Sequence, residues 1–381
     1  MHVAIVGGGV GGMALAAALA RRGVDCRVFE RSAGRSAPGA GMTMWPDAVR
    51  VLDELGAGGG VRRRAWPITL SRVMTPAGRV LSTTPVGQVS ALFGSATYAV
   101  RRSVLHEELA RRVPGDWVET GAACVGVRGD ERGATITLDD GRDHAADVVI
   151  GADGIRSRVR EFVAGPIPPR EVGCCLWRGI ARIADGSLRR GEAFETWGRG
   201  VRFGMVQVSA DEVYWYAGLR GAPREDFERV RPRLLRVFGS WHAPIAGAIG
   251  ATEPAEAVRT TIRDIPPAAR WVRGRVALLG DAAHAMTPDL GQGGCTALED
   301  ASRLAELLAS GATPEAALAA YESLRRPVCE RLAQRSRRVT RMAQWSNPVL
   351  CAARAAGAAL MSGALAARAL TSMFEAASVV R

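Results

Sequence analysis

Three stretches far apart in the chain combine glycine with aspartate in a way that can hold a dinucleotide. They are Gly7-Gly8-Gly9-Val10-Gly11-Gly12, Gly151-Ala152-Asp153-Gly154-Ile155-Arg156-Ser157, and Gly280-Asp281 followed by Pro288-Asp289-Leu290-Gly291-Gln292-Gly293-Gly294. In Gly7-x-Gly9-x-x-Gly12, the first glycine permits a tight turn. The second lets the backbone approach a pyrophosphate, and the third lets a helix pack closely on a strand. The helix that follows points its N-terminal amides at the phosphates. Glu30, 18 residues after Gly12, stands where a carboxylate accepts both hydroxyls of an adenosine ribose, which speaks against a 2′-phosphate there. Taken alone, this fingerprint fits NAD and FAD equally. Asp153 belongs either to a cofactor turn or to an ordinary left-handed turn capped by an aspartate. In the third stretch Asp281 can hold a ribityl hydroxyl, and Pro288 to Gly294 forms a glycine-rich loop opening onto a helix. Helix amides at that point favour a reduced flavin, which is negative at N1 and C2=O.

The elements that position these motifs are legible from periodicity. The run Val3 to Val6, an Ala/Leu-rich helix from Met13 to Arg22, and Cys26 to Glu30 form a βαβ unit with a parallel pair. A helix is expected over Val104 to Arg112, and strands over Ala134 to Leu138 and Asp147 to Ile150. Val276 to Leu279 reads as a buried parallel strand, followed by a helix from Gly294 to Ala309. Residues 61–100 have short-strand character. From Pro166 to Pro267, Trp177, Trp197, Phe203, Tyr214, Trp215 and Tyr216 sit in short β-like runs, predicting an antiparallel sheet that forms a wall. These aromatics either stack a planar substrate or fill the sheet's core. The fold expected is α/β: a Rossmann-like dinucleotide-binding domain over 1–70, 101–165 and 268–330, an inserted substrate-binding sheet domain over 71–100 and 166–267, and C-terminal helices over 331–381.

Composition narrows the class. The chain has 381 residues, 48% of them hydrophobic, enough for a sizeable core. Its net charge is +12, and all 50 basic residues are arginine, spread along the chain rather than gathered in one tract. That dispersal argues against a nucleic-acid-binding protein. Seven cysteines without a Cys-x-x-Cys pair read as reduced thiols in a cytoplasmic protein, and the histidines match no metal-ligand spacing. The most apolar late stretch, 355–367, is broken by Gly357, Ser362 and Gly363 and is short for a membrane span.

The three motifs, with Arg101-Arg102-Ser103-Val104-Leu105 between the first two, resemble the single-component FAD-dependent aromatic hydroxylases, the para-hydroxybenzoate hydroxylase-like family. Trp45-Pro46, Trp177-Arg178-Gly179 and Thr287 to Cys295 look most like the branch containing urate hydroxylase and zeaxanthin epoxidase. The resemblance implies that the Rossmann-like domain is an FAD-binding domain of the GR2 flavoprotein type, with FAD as cofactor, NADH or NADPH as transient reductant and O2 as co-substrate. It further implies oxygen carried as a flavin C4a-hydroperoxide and hydroxylation or epoxidation of a small planar aromatic or heteroaromatic compound. By the same resemblance the cofactor contacts are Gly7, Gly9, Gly11, Gly12, Glu30, Arg31, Arg102, Asp153, Asp281, Pro288, Gly291, Gly293 and Gly294, and the stretch Gly39-Ala40-Gly41-Met42-Thr43 passes near the flavin ring. His284 packs beside the flavin loop.

At the reaction site the resemblance selects Arg202, Tyr214 and Asp289, with Arg178 and Pro288 also at the substrate. Arg202 can neutralise an anionic substrate, Tyr214 can hydrogen-bond it, and Asp289 can act as base or orienting acceptor. Each also has a plain reading: solvated strand residue, core aromatic and loop cap. Arg178 puts a charge where urate enzymes carry a neutral amide, and Gln207 stands where the family often has proline, so the pocket is expected to suit a compound other than urate. A halogenase of related fold needs a catalytic lysine that this chain lacks. A flavin reductase without oxygen insertion remains the alternative activity. A monomer or homodimer is expected.

Overall fold

The computed structural model describes residues 1–34, 40–130, 132–183, 188–221 and 225–377; Gly39 lies outside the described residues. The βαβ unit forms as its periodicity predicts: strand His2–Val6, helix Val10–Ala20 and strand Asp25–Glu30, with Val3 facing Cys26 in parallel register. The helix is buried on almost every side, because it packs between its own sheet and the Gly293–Leu308 helix. Alanine therefore dominates it, since small side chains let two helices and a sheet approach. The sheet has six strands in the order Val272–Arg273, Val276–Leu278, Val148–Gly151, His2–Val6, Asp25–Glu30 and Val118–Thr120. It is parallel except for the hairpin Val272–Arg273/Val276–Leu278.

The wall is a seven-stranded sheet in the order Thr252–Asp264, Arg170–Arg182, Glu212–Leu219, Arg202–Gln207, Glu192–Trp197, Leu70–Met74 and Val80–Thr84. It is antiparallel apart from one parallel pair, Leu70–Met74 with Glu192–Trp197. Gly41–Met44, Thr97–Arg101 and Trp66–Ile68 form a three-stranded antiparallel sheet with Thr97–Arg101 at its centre.

Helices also occur where only strands were expected. Phe227–Phe238 and Ile245–Gly250 cover the far face of the wall. Phe227, Val230, Leu234 and Phe238 recur at helical spacing and are buried there. Trp177, Phe203 and Trp215 point the same way: Phe203 stacks on Trp215 at 5.5 Å, and Trp177 meets Phe227 at 5.7 Å. These aromatics are core, and the cavity face is left to their neighbours one residue along. The stretch 61–100 likewise holds a helix, Val86–Leu92, whose Val86 and Val89 are buried three residues apart.

The C-terminal region consists of three helices, Pro314–Ala343, Pro348–Leu360 and Ala364–Ala377. The first spans residue 331 without a break. Among the described residues no single helix is long and apolar enough to cross a membrane.

Candidate active site

Gly7 has φ +108°, closed to most side chains, and a Cβ on Gly12 would collide with the Gly7 carbonyl, so both positions require glycine. Gly9 differs: a Cβ there would meet nothing within 4 Å. The backbone is therefore bare toward open space at the N-terminus of the Val10–Ala20 helix, which no side chain caps, leaving amides free for an anion. Gly11 faces the other way, and its Cβ would lie 2.6 Å from Leu279 Cδ2, so it serves helix packing.

Glu30 accepts from the amides of Gly8 (2.7 Å) and Ser32 (2.8 Å), which holds its carboxylate at the rim of the turn while each oxygen keeps a second lone pair. Arg31 beside it is exposed. His106 Nε2 lies 2.7 Å from the Gly8 carbonyl oxygen, a support the motifs did not reveal.

Asp153 is divided between its two readings. One carboxylate oxygen accepts from the amides of Arg158 (2.7 Å) and Val159 (3.3 Å), capping the Arg158–Ala164 helix, and the other is buried with no partner in the protein. Burial pushes its pKa above the usual carboxylate value, against the opposing hydrogen bonds.

A cavity of about 450 Å³ lies between this framework and the seven-stranded wall. One side is formed by Gly41, Met42, Thr43, Arg102, Asp281, Pro288, Gly291, Gly293 and Gly294. Arg102, Asp281 and Pro288 are exposed. Gly41 must be glycine because a Cβ would lie 2.5 Å from Tyr214 Cγ, whereas a Cβ on Gly294 would meet only the mobile end of the Met42 side chain. Gly291 adopts φ +62°, and the Gly293–Leu308 helix begins with no side-chain cap. A flat ring with an anionic edge fits between bare glycine backbone and these amides.

The opposite side is one face of the wall. Alternation along paired strands puts Ala193, Glu195, Arg202, Val206, Tyr214, Tyr216 and Arg178 on the cavity. Arg202 is buried. Its Nη1 donates to Asp289 Oδ1 and to Glu195 Oε1 at 3.1 Å, and its guanidinium carbon lies 5.8 Å from the Tyr216 ring centroid. Asp289 is held from its other oxygen by the Thr340 hydroxyl, contributed by the Pro314–Ala343 helix. Glu195 also accepts from Tyr216 Oη (3.0 Å) and Trp197 Nε1 (3.0 Å). Burial alone would lower the Arg202 pKa, but Glu195 and Asp289 outweigh it and raise it, so the arginine stays charged. Burial raises the pKa of Tyr214, partly offset by Arg178, and raises that of Tyr216 further, with Glu195 adding to it. Both phenols are thus neutral donors. Arg178 Nη2 donates to Thr260 Oγ1.

The structure therefore gathers Arg178, Arg202, Tyr214, Pro288 and Asp289 in one cavity with the flavin-loop residues Gly41, Met42, Thr43, Arg102, Asp281, Gly291, Gly293 and Gly294. Gly7, Gly9, Gly12 and Glu30 lie in the first turn, away from the cavity lining. The plain readings fail for Arg202 as a solvated residue and for Asp289 as a mere loop cap. The expectation that Arg202 is a free counter-charge for an anionic substrate is also revised, because two carboxylates already flank it. Glu195, Tyr216 and Thr340 are additions. Glu195 and Tyr216 have a sequence signal in strand alternation; Thr340 has none.

His284 is buried, with Nε2 at 2.6 Å from Asp300 and its ring 5.3 Å from Trp271. Asp300 and Cys329 complete a buried group with it, where Arg325, 2.6 Å from Asp300, already supplies the cation.

Comparison with known proteins gives the family. Residues 1–336 match the family described as "FAD binding domain". The chain is 38% identical over 353 residues to the aurachin C monooxygenase/isomerase of Stigmatella aurantiaca, covering 92% of each chain. It is 34% identical over 343 residues to the FAD-dependent urate hydroxylase of Klebsiella pneumoniae, covering 87% of each. The crystal structure of Klebsiella pneumoniae HpxO complexed with FAD and uric acid superposes with a TM-score of 0.92 at 29% identity, over 99% of this chain and 97% of that one.

Proposed function

We propose, from the premise that this chain belongs to the FAD binding domain family and is an FAD-dependent monooxygenase of aromatic or heteroaromatic substrates, a specific division of labour in its site. Bound FAD supplies reduction by NAD(P)H and the activation of O2. Gly7, Gly9, Gly12 and Glu30 hold the adenylate end, and Arg102, Asp281 and the Gly291 to Gly294 backbone hold the flavin end. Gly11 supports this cradle by packing, and Asp153 by capping the neighbouring helix. Arg31, Pro288 and the segment Gly41 to Thr43 complete the contacts.

On the substrate side, Asp289 accepts a hydrogen bond from a ring N–H or O–H and is available as its base, fixed from two sides by Arg202 and Thr340. Tyr214 donates to an acceptor on the substrate. Tyr216, whose proton is given to Glu195, offers its phenol oxygen as an acceptor, and Arg178, which no carboxylate flanks among the described residues, supplies a cation. Because Arg202 is shared between Glu195 and Asp289, the pocket favours a neutral planar heteroaromatic carrying both donor and acceptor groups over a dianion. The relatives are monooxygenases and hydroxylases by name, which favours oxygen insertion over simple flavin reduction.

The same reading divides the chain into a discontinuous FAD-binding domain over 1–70, 101–165 and 268–330, a substrate domain over 71–100 and 166–267, and C-terminal helices over 331–381. Seven unpaired cysteines support a cytoplasmic setting, as monomer or homodimer.

The observation that carries the proposal is the Arg202–Asp289 pair, which joins the substrate wall to the flavin loop across the cavity. The test is a substrate screen that follows NADH- or NADPH-driven bleaching of the flavin. Neutral hydroxylated N-heteroaromatics should accelerate bleaching and yield an oxygenated product. Acceleration confined to dicarboxylated aromatics would overturn the assignment of substrate class.

A further inference from the structure

The last two helices present a surface that the flavin chemistry does not use. Five of the ten large hydrophobic side chains exposed among the described residues fall between 349 and 365: Val349 (75%), Leu350, Leu360 (75%), Met361 and Leu365. The Pro348–Leu360 helix has one charged residue, Arg354, and it is turned inward. Its guanidinium donates to the carbonyls of Met342, Ala343 and Gly198 and lies 5.1 Å from the Trp197 ring centroid. The outward face is left without any charge, contrary to the usual rule for a surface helix.

In the sequence around it the charge is almost all of one sign. Residues 331–377 contain seven arginines and a single carboxylate, Glu375. Arg331, Arg335, Arg338, Arg341 and Arg368 are exposed. The first three share one helix face by their spacing, and the Arg354 contacts fold the apolar helix back against the end of theirs. An apolar face whose neighbouring helices carry exposed arginine is complementary to a bilayer surface with anionic headgroups, where acyl chains receive the hydrophobic side chains and phosphates receive the guanidinium groups.

The surface is also joined to the cavity. The corner at Met361 to Gly363 is anchored to the edge strand Val80–Thr84, with Ser82 Oγ donating to the Met361 carbonyl and the Gly363 amide donating to Thr83 O at 2.9 Å. From that corner the Ala364–Ala377 helix turns its inner side to the active site. Leu370 packs in the cluster containing Val86 and Tyr214, and Phe374 lies 5.3 Å from Trp45; Val86, Tyr214 and Trp45 line the cavity.

We propose that the helices Pro348–Leu360 and Ala364–Ala377 form a docking surface for an anionic phospholipid leaflet, lying in the plane of the interface without spanning it. The enzyme is thereby held at the membrane surface, with one docked helix packed behind residues that line the substrate cavity.

Flotation of the full-length holoprotein with phosphatidylcholine vesicles, with and without phosphatidylglycerol, tests this directly. Wild type should float with the anionic vesicles and bind pure phosphatidylcholine at least tenfold more weakly. The double variant Leu360→Glu/Leu365→Glu should lose anionic-vesicle binding at least tenfold while keeping its bound flavin and thermal midpoint, since both side chains are exposed. Arg338→Gln/Arg341→Gln should reduce the preference for anionic over neutral lipid. Absence of wild-type binding, or binding undiminished in the glutamate variant, overturns the proposal. Concentration-dependent self-association abolished by the same variant, without vesicle binding, assigns the face to a second copy of the chain and overturns it equally.

Discussion

Replacing Arg202 with glutamine should destabilise the protein far more than replacing Asp289 with asparagine, although the two residues form one ion pair. The asymmetry follows from the third member of the group. Arg202 is 5% exposed at its side chain and Asp289 is fully buried, and the arginine also donates to Glu195 at 3.1 Å. Arg202→Gln leaves two carboxylates in a poorly solvated pocket with their shared cation gone. Losing one partner of a buried pair costs about 3–5 kcal/mol. Asp289→Asn leaves Arg202 still paired with Glu195, and the Thr340 hydroxyl retains an amide oxygen as acceptor. The loss is then of the order of one charged hydrogen bond, about 1.5–3 kcal/mol. The gap should be roughly 2 kcal/mol, or about thirty-fold in the folded-to-unfolded ratio. Urea unfolding followed by tryptophan fluorescence, at saturating FAD, measures it. Both variants should retain the yellow cofactor, since neither residue belongs to the dinucleotide turn, while substrate-accelerated flavin bleaching is lost. Equal destabilisation by the two substitutions, or a larger effect of Asp289→Asn, would falsify the picture of one arginine shared between two acids.

Two further outcomes follow from other parts of the molecule. Gly12→Ala should yield folded but colourless protein, because the added Cβ meets the Gly7 carbonyl and distorts the turn; full FAD occupancy by absorbance would show that the turn tolerates the methyl. Glu299, beside Arg325, has its pKa raised from 4.5 to about 7 by burial, partly offset by Arg325. A carboxyl raised in the folded state stabilises below its unfolded pKa, and that contribution is lost as pH rises through the folded value. Wild type should therefore lose stability between about pH 4.5 and pH 7 relative to Glu299→Gln, in which this slope is absent. Matching urea midpoints against pH for the two proteins would refute the burial argument.

The dinucleotide turn was legible residue by residue because its demands are local. Gly7 needs a positive φ, Gly12 must admit a carbonyl, and Glu30 must end the next strand; each requirement falls within one βαβ unit. The strand before Gly151 and the helix after Gly293 were legible for the same reason, since a buried apolar run and a glycine-to-alanine helix start carry their own periodicity. The residue types of Arg202, Tyr214 and Asp289 were also marked, through their place in recognisable motifs.

The pairing of those residues was decided only in three dimensions. Arg202 and Asp289 are 87 positions apart, and nothing local distinguishes an arginine awaiting an anionic substrate from one already held by two acids. Thr340 comes from a helix whose sequence carries no chemical motif, yet it fixes one oxygen of Asp289. The helices behind the wall decided that Trp177 and Trp215 are core while Tyr214 and Tyr216 face the cavity, because strand alternation assigns two faces without saying which is covered. Arg354 makes the same point at the other end of the chain: only its inward turn, onto carbonyls and Trp197, leaves an entire helix face apolar and exposed.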